Sequence, residues 1–506
     1  MAAGIFVTRV LGYLRERVTA HYLGNGAVAD AFRVALRIPN AIRNLLGEGT
    51  LSASFIPVYA SLNERDVEAG RSLAGAVAGL LLLATGTLAL IGVLFAGPLT
   101  TILAPGLAPG TRVIAVSLMR LLFPMSGVMV CSAWCLGILN THRRFFLSYA
   151  APALWNVAGI AALVGAATWL VSPALPVDQQ LYRLALALAW GTVAGSLLQV
   201  AVQLPACWRL LHGIALRFST APEGVRSVLV AWGPLVLGAG VAQIASLVDT
   251  FLGSLAGQGG VSSLVYAQLI QILPVSLFGT SVAAASLPDL SRDAAATTPN
   301  EQLRSRIATG FRRITFFVLP SAVAFAALGP VIVGALFQTG RFGDTDTAIV
   351  GGVLSAYGVG LLGQSTVKLF ASGFYALRDT RTPVKIASFS LLVSSVLAYL
   401  FMRVYGPAGI ALGSSLGQTL NVVLHLKDLD IRIGRVLGPA DWRAFGTSVV
   451  AALLAGGAGV AAARFGAGLG PIALALLALG IFGVTYAALA FALRHPDATR
   501  LWTSLR

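Results

Sequence analysis

Long apolar runs without a single charged side chain set the strongest limit on the fold of this chain. Residues 72–97 and 470–493 contain no Asp, Glu, Lys or Arg, and each run exceeds the roughly 20 residues that a helix needs to cross a bilayer. Such continuous runs lack the alternation, in segments of about ten residues, that membrane β-strands require. Hydrophobic residues make up 57% of the 506 residues, which leaves too little polar surface for a soluble protein. The sequence therefore predicts an all-α polytopic membrane protein.

Apolar runs bounded by proline, glycine or charge predict fourteen transmembrane helices. Arginines interrupt the opening residues, so no cleavable signal peptide is expected and the first helix is expected to be retained. Pro39 is expected to kink the second helix, and Gly47 and Gly49 to loosen it. The predicted helices lie at 3–22, 28–61, 72–97, 112–138, 147–171, 182–207, 225–252, 261–287, 305–337, 346–376, 384–403, 408–426, 442–463 and 470–493.

The distribution of Lys and Arg between the connections predicts the orientation. Connections after even-numbered helices, together with the C-terminal tail, hold 22 of the 35 basic residues, whereas those on the opposite side hold five. Because cytoplasmic loops collect positive charge, both termini are expected in the cytoplasm. Most of the net charge of +16 then reflects topology, and we expect no nucleic-acid partner. Eight basic residues remain, namely Arg9, Arg15, Arg17, Arg33, Arg37, Arg43, Arg120 and Lys368.

Two helical segments resemble each other within the chain. Residues 191–204 and 413–426 share the pattern G-[ST]-x-x-G-x-x-L-[QN]-V-x-x-[QH]-L, on the sixth and the twelfth predicted helix. One interpretation is duplication, and chance similarity between apolar helices is the other. Duplication predicts two six-helix lobes, 1–207 and 225–432. A cytoplasmic linker at 208–224 joins them, and residues 433–506 add two further helices and a cytoplasmic tail.

The charges inside the first two predicted helices need a separate explanation. An arginine at mid-bilayer costs about 2.5 to 3.5 kcal/mol on insertion scales. Pairing would leave surplus guanidinium groups, because arginines outnumber acids by six to three in "DAFRVALRIPNAIRNLLGEG" (30–49) and the helix before it. Surplus guanidinium suits a phosphate-bearing substrate, which arginine binds bidentately. The set comprises Arg9, Arg15, Arg17, Arg33, Arg37 and Arg43 against Glu16, Asp30 and Glu48.

Two structural alternatives stay open for these charges. Long side chains near helix ends would extend to the membrane surface, as expected for Arg17 and Arg33. Internal ion pairs would instead hold the first two helices together. The candidate pairs are Arg9 with Glu48 and Arg37 with Asp30.

The sequence indicates neither an enzyme site nor a metal site. The five histidines are scattered over helix ends and loops, and no GxxxxGK[ST] loop is present. Cys131, Cys135 and Cys207 show neither disulfide nor metal spacing. Asp249, the single acid in the seventh predicted helix, is either a cation or proton site or a structural hydrogen-bonding group.

The segment "TRVLGYLRERVTAHYLGNGAVADAFRVALRIPNAIRNLLGEGTLSASFIPVYA" (8–60) resembles the N-terminal signature of the MurJ (MviN) family of lipid II flippases. This family belongs to the multidrug/oligosaccharidyl-lipid/polysaccharide exporter superfamily. Further matches are "GILNTHRRF" (137–145), "LFQTGRF" (336–342) and "GFYALRDTRTPVKIA" (373–387), so the resemblance covers essentially the whole chain. It implies two lobes around a central cavity in the bacterial cytoplasmic membrane. The implied activity is export of the undecaprenyl-diphosphate-linked peptidoglycan precursor to the outer leaflet by alternating access.

The resemblance also implies roles for individual side chains and partners. Basic residues on the first two helices would meet the diphosphate, and acidic residues would gate the cavity or form ion pairs. The implied partners are the lipid-linked oligosaccharide and the membrane, with proteins of cell-wall synthesis as further candidates. A monomer without cofactor is expected, coupled to Na⁺, H⁺ or the membrane potential. The diphosphate-binding candidates are Arg9, Arg15, Arg43 and Arg37, and the acids are Glu16, Asp30 and Glu48.

The second lobe departs from the family pattern. Gln268 and Leu269 stand where typical members carry an Asp-Arg pair. Asp249 matches the acid of a sodium site found in some members, but Ser394 and Ala398 stand where its other ligands align. Two alternatives therefore stay open, a transporter of another polyprenyl-diphosphate-linked glycan and a non-transporting membrane scaffold for cell-wall synthesis. The surplus of arginines disfavours an exporter of cationic drugs.

Overall fold

The computed structural model describes residues 2–47, 49–286, 299–493 and 495–499, and helices dominate all four ranges. The β-structure among these residues is a single isolated bridge between Thr339 and Phe342. In the described part of the chain, eleven helical spans are long and apolar enough to cross a membrane. The predicted all-α, multi-pass architecture is thus confirmed, while the count of fourteen spans stays a prediction.

The structure gives bounds for seventeen α-helices, and further helical residues lie at 281–286 and 496–499. A π-helical turn, Val275–Thr280, directly follows the eleventh. Their bounds are α1 Ala2–Leu23, α2 Ala27–Leu46, α3 Thr50–Arg65, α4 Val67–Leu94, α5 Ala96–Leu103, α6 Pro109–Thr141, α7 Phe145–Ala150, α8 Pro152–Trp169, α9 Val177–Leu210, α10 Val225–Leu255, α11 Gly260–Pro274, α12 Pro299–Phe337, α13 Asp344–Ala376, α14 Arg381–Tyr405, α15 Pro407–Ile433, α16 Pro439–Phe465 and α17 Pro471–Ala492.

The predicted second helix is two helices in the structure. Pro39 lies inside α2, which continues to Leu46, and the interruption falls at Gly47 and Gly49 instead. Gly49 has φ +81°, a conformation that glycine adopts without the steric cost of a Cβ atom. These glycines were expected to loosen the helix. In the structure they separate it into two helices, α2 and α3. Glu48 lies between them, outside the described residues.

The chain divides into two compact units. The first comprises Met1–Ser262 and Thr339–Phe342, and the second Ser263–Gln338 and Gly343–Arg506. In the first unit, buried side chains of α2, α6, α8 and α9 form one hydrophobic core. The lobe boundaries predicted from the internal repeat stay a prediction.

The first copy of the repeated pattern packs α9 closely against α8. A Cβ atom on Gly195 would lie 2.8 Å from the Cα of Trp155 and 3.0 Å from the Cβ of Ala158. A Cβ atom on Gly191, one turn earlier, would lie 2.4 Å from the Cβ of Ala162. Small residues spaced four apart allow membrane helices to approach backbone to backbone. The pattern therefore fixes the position of the residues on α8.

The second copy has the same role in the second unit. A Cβ atom on Gly417 of α15 would lie 2.2 Å from the Cβ of Ser394, and one on Gly413 would lie 2.3 Å from the backbone nitrogen of Ala398. Ser394 and Ala398 of α14 thus lie in a tight helix contact, which leaves no room there for larger side chains. The shared packing role supports duplication as the origin of the repeat.

Candidate functional site

A buried carboxylate on α1 binds two guanidinium groups. Glu16 is 6% exposed, and its Oε1 accepts a hydrogen bond from Nη2 of Arg15 at 2.6 Å. Its Oε2 accepts one from Nη2 of Arg33 on α2. Arg33 is itself only 8% exposed, so the prediction that its side chain extends to the membrane surface was wrong. The ion pair with Glu16 offsets the cost of burying this charge.

Trp155 on α8 brings a further arginine to this cluster. The Cζ of Arg15 lies 4.1 Å from the centroid of the indole ring, and the Cζ of Arg43 lies 5.9 Å from it. Both distances are within the range of cation–π attraction. The absence of a side chain on Gly159 keeps α8 close to α1, since a Cβ atom there would lie 3.3 Å from the Cδ of Arg15. No sequence pattern predicted a role for Trp155.

Buried nitrogen donors in this cluster have no acceptor among the described residues. Those beside the indole ring are the Nε of Arg43 and the Nε1 of Trp155. Arg43 makes one long hydrogen bond, from Nη2 to the Oδ1 of Asn44 at 3.4 Å. A buried donor without an acceptor costs about 1 to 3 kcal/mol. A ligand rich in acceptor oxygens, such as a phosphate, would satisfy both donors.

Formal charge points to the same class of ligand. The guanidinium groups of Arg15, Arg33 and Arg43 lie around the carboxylate of Glu16. A guanidinium stays protonated in a buried site and presents a planar set of donors that matches phosphate oxygens. We call Arg15, Glu16, Arg33, Arg43 and Trp155 the arginine–tryptophan cluster.

Asp30 and Arg37 were candidates for an ion pair with each other, but each bonds to other groups in the structure. Asp30 is 1% exposed, and its carboxylate accepts backbone N–H groups from Gly259 and Ser262, both at 2.7 Å. Arg37 donates from Nε to the Oγ1 of Thr250 at 2.5 Å. The hydrogen bonds of Asp30 go to backbone amides, so the alternative pairing of Asp30 with Arg37 was wrong. The gating role of Asp30 stays a prediction.

The remaining candidate residues lie at separate positions along α1 and α10. Arg9 is exposed on α1, two turns before Glu16. Asp249 is half-buried on α10, next to Thr250. Its role in cation binding stays a prediction. In the described ranges no three His, Cys, Asp or Glu side chains come together as a metal site. The pair of Arg9 with Glu48 includes a residue outside those ranges.

Neutral side chains occupy the second-unit positions where the family pattern has charge. Gln268 on α11 donates from Nε2 to the hydroxyl of Tyr357 on α13 at 3.0 Å. Leu269 beside it is half-buried. Ser394 and Ala398 serve helix packing, as described above. The first unit therefore carries the guanidinium groups of the candidate site.

Sequence comparisons relate the chain to one family. A model of the family described as "Lipid II flippase MurJ" matches residues 19–480. The lipid II flippase MurJ of Burkholderia cenocepacia is 33% identical over 456 residues, covering 88% of this chain and 86% of that protein. The "Probable lipid II flippase MurJ" of Rhizobium meliloti is 33% identical over 426 residues, covering 82% and 77%.

Solved structures share the fold. One described as "Lipid II flippase MurJ, inward closed conformation" superposes with a TM-score of 0.80 at 22% identity, covering 97% of this chain and 98% of that one. An inward-facing multidrug resistance MATE family transporter of the MOP superfamily gives a TM-score of 0.67 at 18% identity, covering 85% and 95%. With a family match over residues 19–480 and a relative 33% identical along most of its length, this chain belongs to the MurJ family of lipid II flippases.

Proposed function

We propose that this protein is a flippase for the undecaprenyl-diphosphate-linked peptidoglycan precursor, lipid II. It moves the headgroup from the cytoplasmic to the outer leaflet of the bacterial cytoplasmic membrane. Family membership supports the substrate class. The observation that carries the proposal is the pair of buried donors, Arg43 Nε and Trp155 Nε1, beside Arg15 in a cluster with one acid.

In the proposed cycle, the diphosphate binds to the arginine–tryptophan cluster while the polyprenyl chain stays in the bilayer. Arg43 and Trp155 supply the open donors. Glu16 competes with the diphosphate for Arg15 and Arg33, so a change that strengthens its ion pairs releases the headgroup. Alternating access then exposes the headgroup to the opposite side.

The protein acts as a monomer with both termini in the cytoplasm. Transport does not depend on contacts with cell-wall synthesis proteins.

Transport is coupled in this proposal to the membrane potential. A diphosphate that moves outward across an inside-negative membrane gains about 2.3 kcal/mol per net charge and per 100 mV. No site for Na⁺ is required for this step. Asp249 is the residue on which an additional coupling to Na⁺ or H⁺ would depend.

Complementation of a strain depleted of its lipid II flippase tests the proposal. The parent protein is expected to restore growth and precursor export, and Arg15→Ala and Arg43→Ala are expected to abolish both. Arg226→Ala is the matched control, because Arg226 is exposed at the start of α10 and makes no ion pair among the described residues. A well-expressed parent that fails to restore export would exclude lipid II as the substrate. Rescue by both cluster variants would exclude the cluster as the diphosphate site.

A second candidate function is export of another polyprenyl-diphosphate-linked glycan. The neutral pair Gln268 and Leu269 favours it, because a different headgroup can require different contacts in the second unit. Flipping assays in proteoliposomes with lipid II and with undecaprenyl diphosphate carrying another sugar distinguish the two substrates. If the protein supports growth but flips neither lipid, it acts as the non-transporting membrane scaffold for cell-wall synthesis.

A further inference from the structure

A basic groove lies outside the arginine–tryptophan cluster, at the C-terminal ends of α6 and α9. Its volume is about 560 Å³. Three arginines line it, two from the connection between α6 and α7 and one from the last turn of α9, together with two phenylalanines that begin α7. They are Arg143, Arg144, Arg209, Phe145 and Phe146.

The loop that carries two of these arginines is held in place from several sides. The hydroxyl of Tyr59 on α3 lies 3.0 Å from the Nε2 of His142. On α1, Thr8 donates from Oγ1 to the backbone carbonyl of Tyr149 at 3.0 Å. Arg143 and Arg144 are therefore presented by a fixed scaffold rather than by a free loop.

The backbone of Arg143 has a conformation that is costly for residues other than glycine. Arg143 has φ +58°, and its N–H group bonds to the carbonyl of Asn140 at 3.1 Å. The N–H of Arg144 bonds to the carbonyl of Leu139 at 2.8 Å. This is the helix-ending motif in which glycine is the usual residue, because other residues are strained there. The guanidinium group of Arg143 is thus presented from a helix-ending turn that favours glycine.

Charge and exposure define the ligand. None of the three guanidinium groups has an ion-pair partner in the described part of the chain, and no acid lines the groove. Phe145 and Phe146 are 40% and 70% exposed. The tendency of cytoplasmic loops to be basic accounts for the number of arginines on this face. It does not account for the convergence of three of them on one groove beside exposed aromatic rings.

The combination is typical of a lipid headgroup site. Segments that place phenylalanine beside arginine are typical of the boundary between headgroups and hydrocarbon, and basic pockets between helices on the cytoplasmic side bind lipid phosphates. We propose that Arg143, Arg144 and Arg209 bind the phosphate headgroup of an anionic phospholipid, such as phosphatidylglycerol, from the leaflet at this face. Phe146 lies among its acyl chains.

Lipid binding to the full-length protein tests this site. The protein is placed in nanodiscs of phosphatidylcholine with graded fractions of phosphatidylglycerol, and bound lipid is counted by native mass spectrometry. We expect the parent to retain phosphatidylglycerol selectively. Arg144→Gln and Arg209→Gln each weaken this retention about fivefold, the effect of about 1 kcal/mol per arginine at an anionic surface. The control Arg226→Gln, which makes the same charge change on the same face, leaves it unchanged.

Arg143→Gly separates binding from folding. Glycine relieves the strained backbone, so the thermal midpoint stays the same or rises while phosphatidylglycerol retention falls about fivefold. Equal retention of both lipids by the parent would overturn the proposal, as would groove variants that behave like Arg226→Gln. Displacement of phosphatidylglycerol by stoichiometric undecaprenyl diphosphate would overturn it too, because the groove would then belong to the substrate path.

Discussion

At the scale of single residues, the sharing of Glu16 between Arg15 and Arg33 is the feature on which the cluster depends. Removing one partner of a buried ion pair leaves uncompensated charge. We expect Glu16→Gln to destabilise the protein by about 3 kcal/mol and to make its thermal midpoint rise with added pyrophosphate, which replaces the lost negative charge. Thermal unfolding in detergent, with and without pyrophosphate, measures both effects.

Glu68→Gln is the control for this prediction. Glu68 forms a salt bridge with Arg71 at 2.9 Å, three residues along the same helix, but its side chain is 68% exposed. Exposed pairs contribute about 1 kcal/mol or less. If the two variants unfolded at the same temperature and neither responded to pyrophosphate, Glu16 would not be neutralising a buried anion site.

Trp155 supplies both a ring and a donor, and the two roles can be separated. Trp155→Phe keeps an aromatic face under Arg15 but removes the Nε1–H, which has no acceptor in the described part of the chain. A hydrogen bond to a charged group contributes about 1.5 to 3 kcal/mol, so we expect affinity for undecaprenyl diphosphate to fall about tenfold or more. The folded protein without substrate loses no hydrogen bond. Calorimetric titration gives the affinity, and unchanged binding would remove Trp155 Nε1 from the proposed site.

The residue scale also shows how far sequence reasoning reaches. Arg15, Glu16 and Arg43 were identified as candidates because charge inside an apolar helix is costly and needs a reason. Extension of Arg33 to the membrane surface stayed an open alternative, because helical spacing says nothing about the partner that another helix presents. Trp155 carried no signal, because one aromatic residue in an apolar run is ordinary. Only the packing of α8 against α1 and α9 makes it part of the site.

At the scale of helices, close packing of α9 on α8 positions Trp155. We expect Gly195→Ala to destabilise the protein by about 1 to 3 kcal/mol and to reduce precursor export, because its Cβ would lie 2.8 Å from the Cα of Trp155. Gly480→Ala is the matched control, since no atom lies within 4 Å of the Cβ position there. It should stabilise α17 slightly, by up to about 1 kcal/mol. Thermal unfolding of the two variants compares them, and equal midpoints would contradict close packing at Gly195.

The turn between α13 and α14 shows why the motif "GFYALRDTRTP" is a structural one. The carboxylate of Asp379 accepts hydrogen bonds from the hydroxyl and amide of Thr382, from the amide of Arg381 and from Arg432. These hydrogen bonds hold the pKa of Asp379 well below its ordinary value, and those from Thr382 have the largest effect. Their stabilisation is complete above the ordinary pKa and is lost as the pH falls below it.

The corresponding prediction concerns acid stability. The parent should lose more stability than Asp379→Asn when the pH falls from 6 towards 3, because in the parent the unfolded chain takes up a proton at this carboxylate that the folded protein does not bind. At neutral pH the variant should be the less stable of the two. Thermal midpoints of both proteins across this range measure the difference. Parallel pH profiles would show that the turn does not depend on the ionised carboxylate.

Helix positions were predictable where proline, glycine and charge mark the ends. The predicted helices at 225–252 and 470–493 correspond to α10 and α17, with ends that differ by a few residues. The predicted helix at 28–61 failed because apolar periodicity continues across Gly47 and Gly49, whereas the backbone does not. Periodicity reports which residues avoid water. It does not report whether successive turns share one axis.

At the scale of the whole molecule, the charges fall into two classes with different physical origins. The basic loops are expected to set orientation, whereas Arg15, Arg33 and Arg43 belong to a cluster in which buried donors lack an acceptor among the described residues. The sequence separated these classes by counting loops. The sequence does not identify the driving force of transport. No residue pattern distinguishes coupling to an ion from the work done by the membrane potential on a charged headgroup.

Voltage dependence distinguishes these sources. In proteoliposomes with an imposed potassium diffusion potential, an inside-negative potential of 100 mV should raise the outward accumulation of lipid II headgroups. The expected factor is about fifty per net charge moved, the equivalent of about 2.3 kcal/mol. Asp249→Asn should leave this dependence intact if the potential alone acts on the diphosphate. Accumulation that ignores voltage but disappears when Na⁺ is replaced by choline, and in Asp249→Asn, would instead assign the driving force to a cation bound on α10.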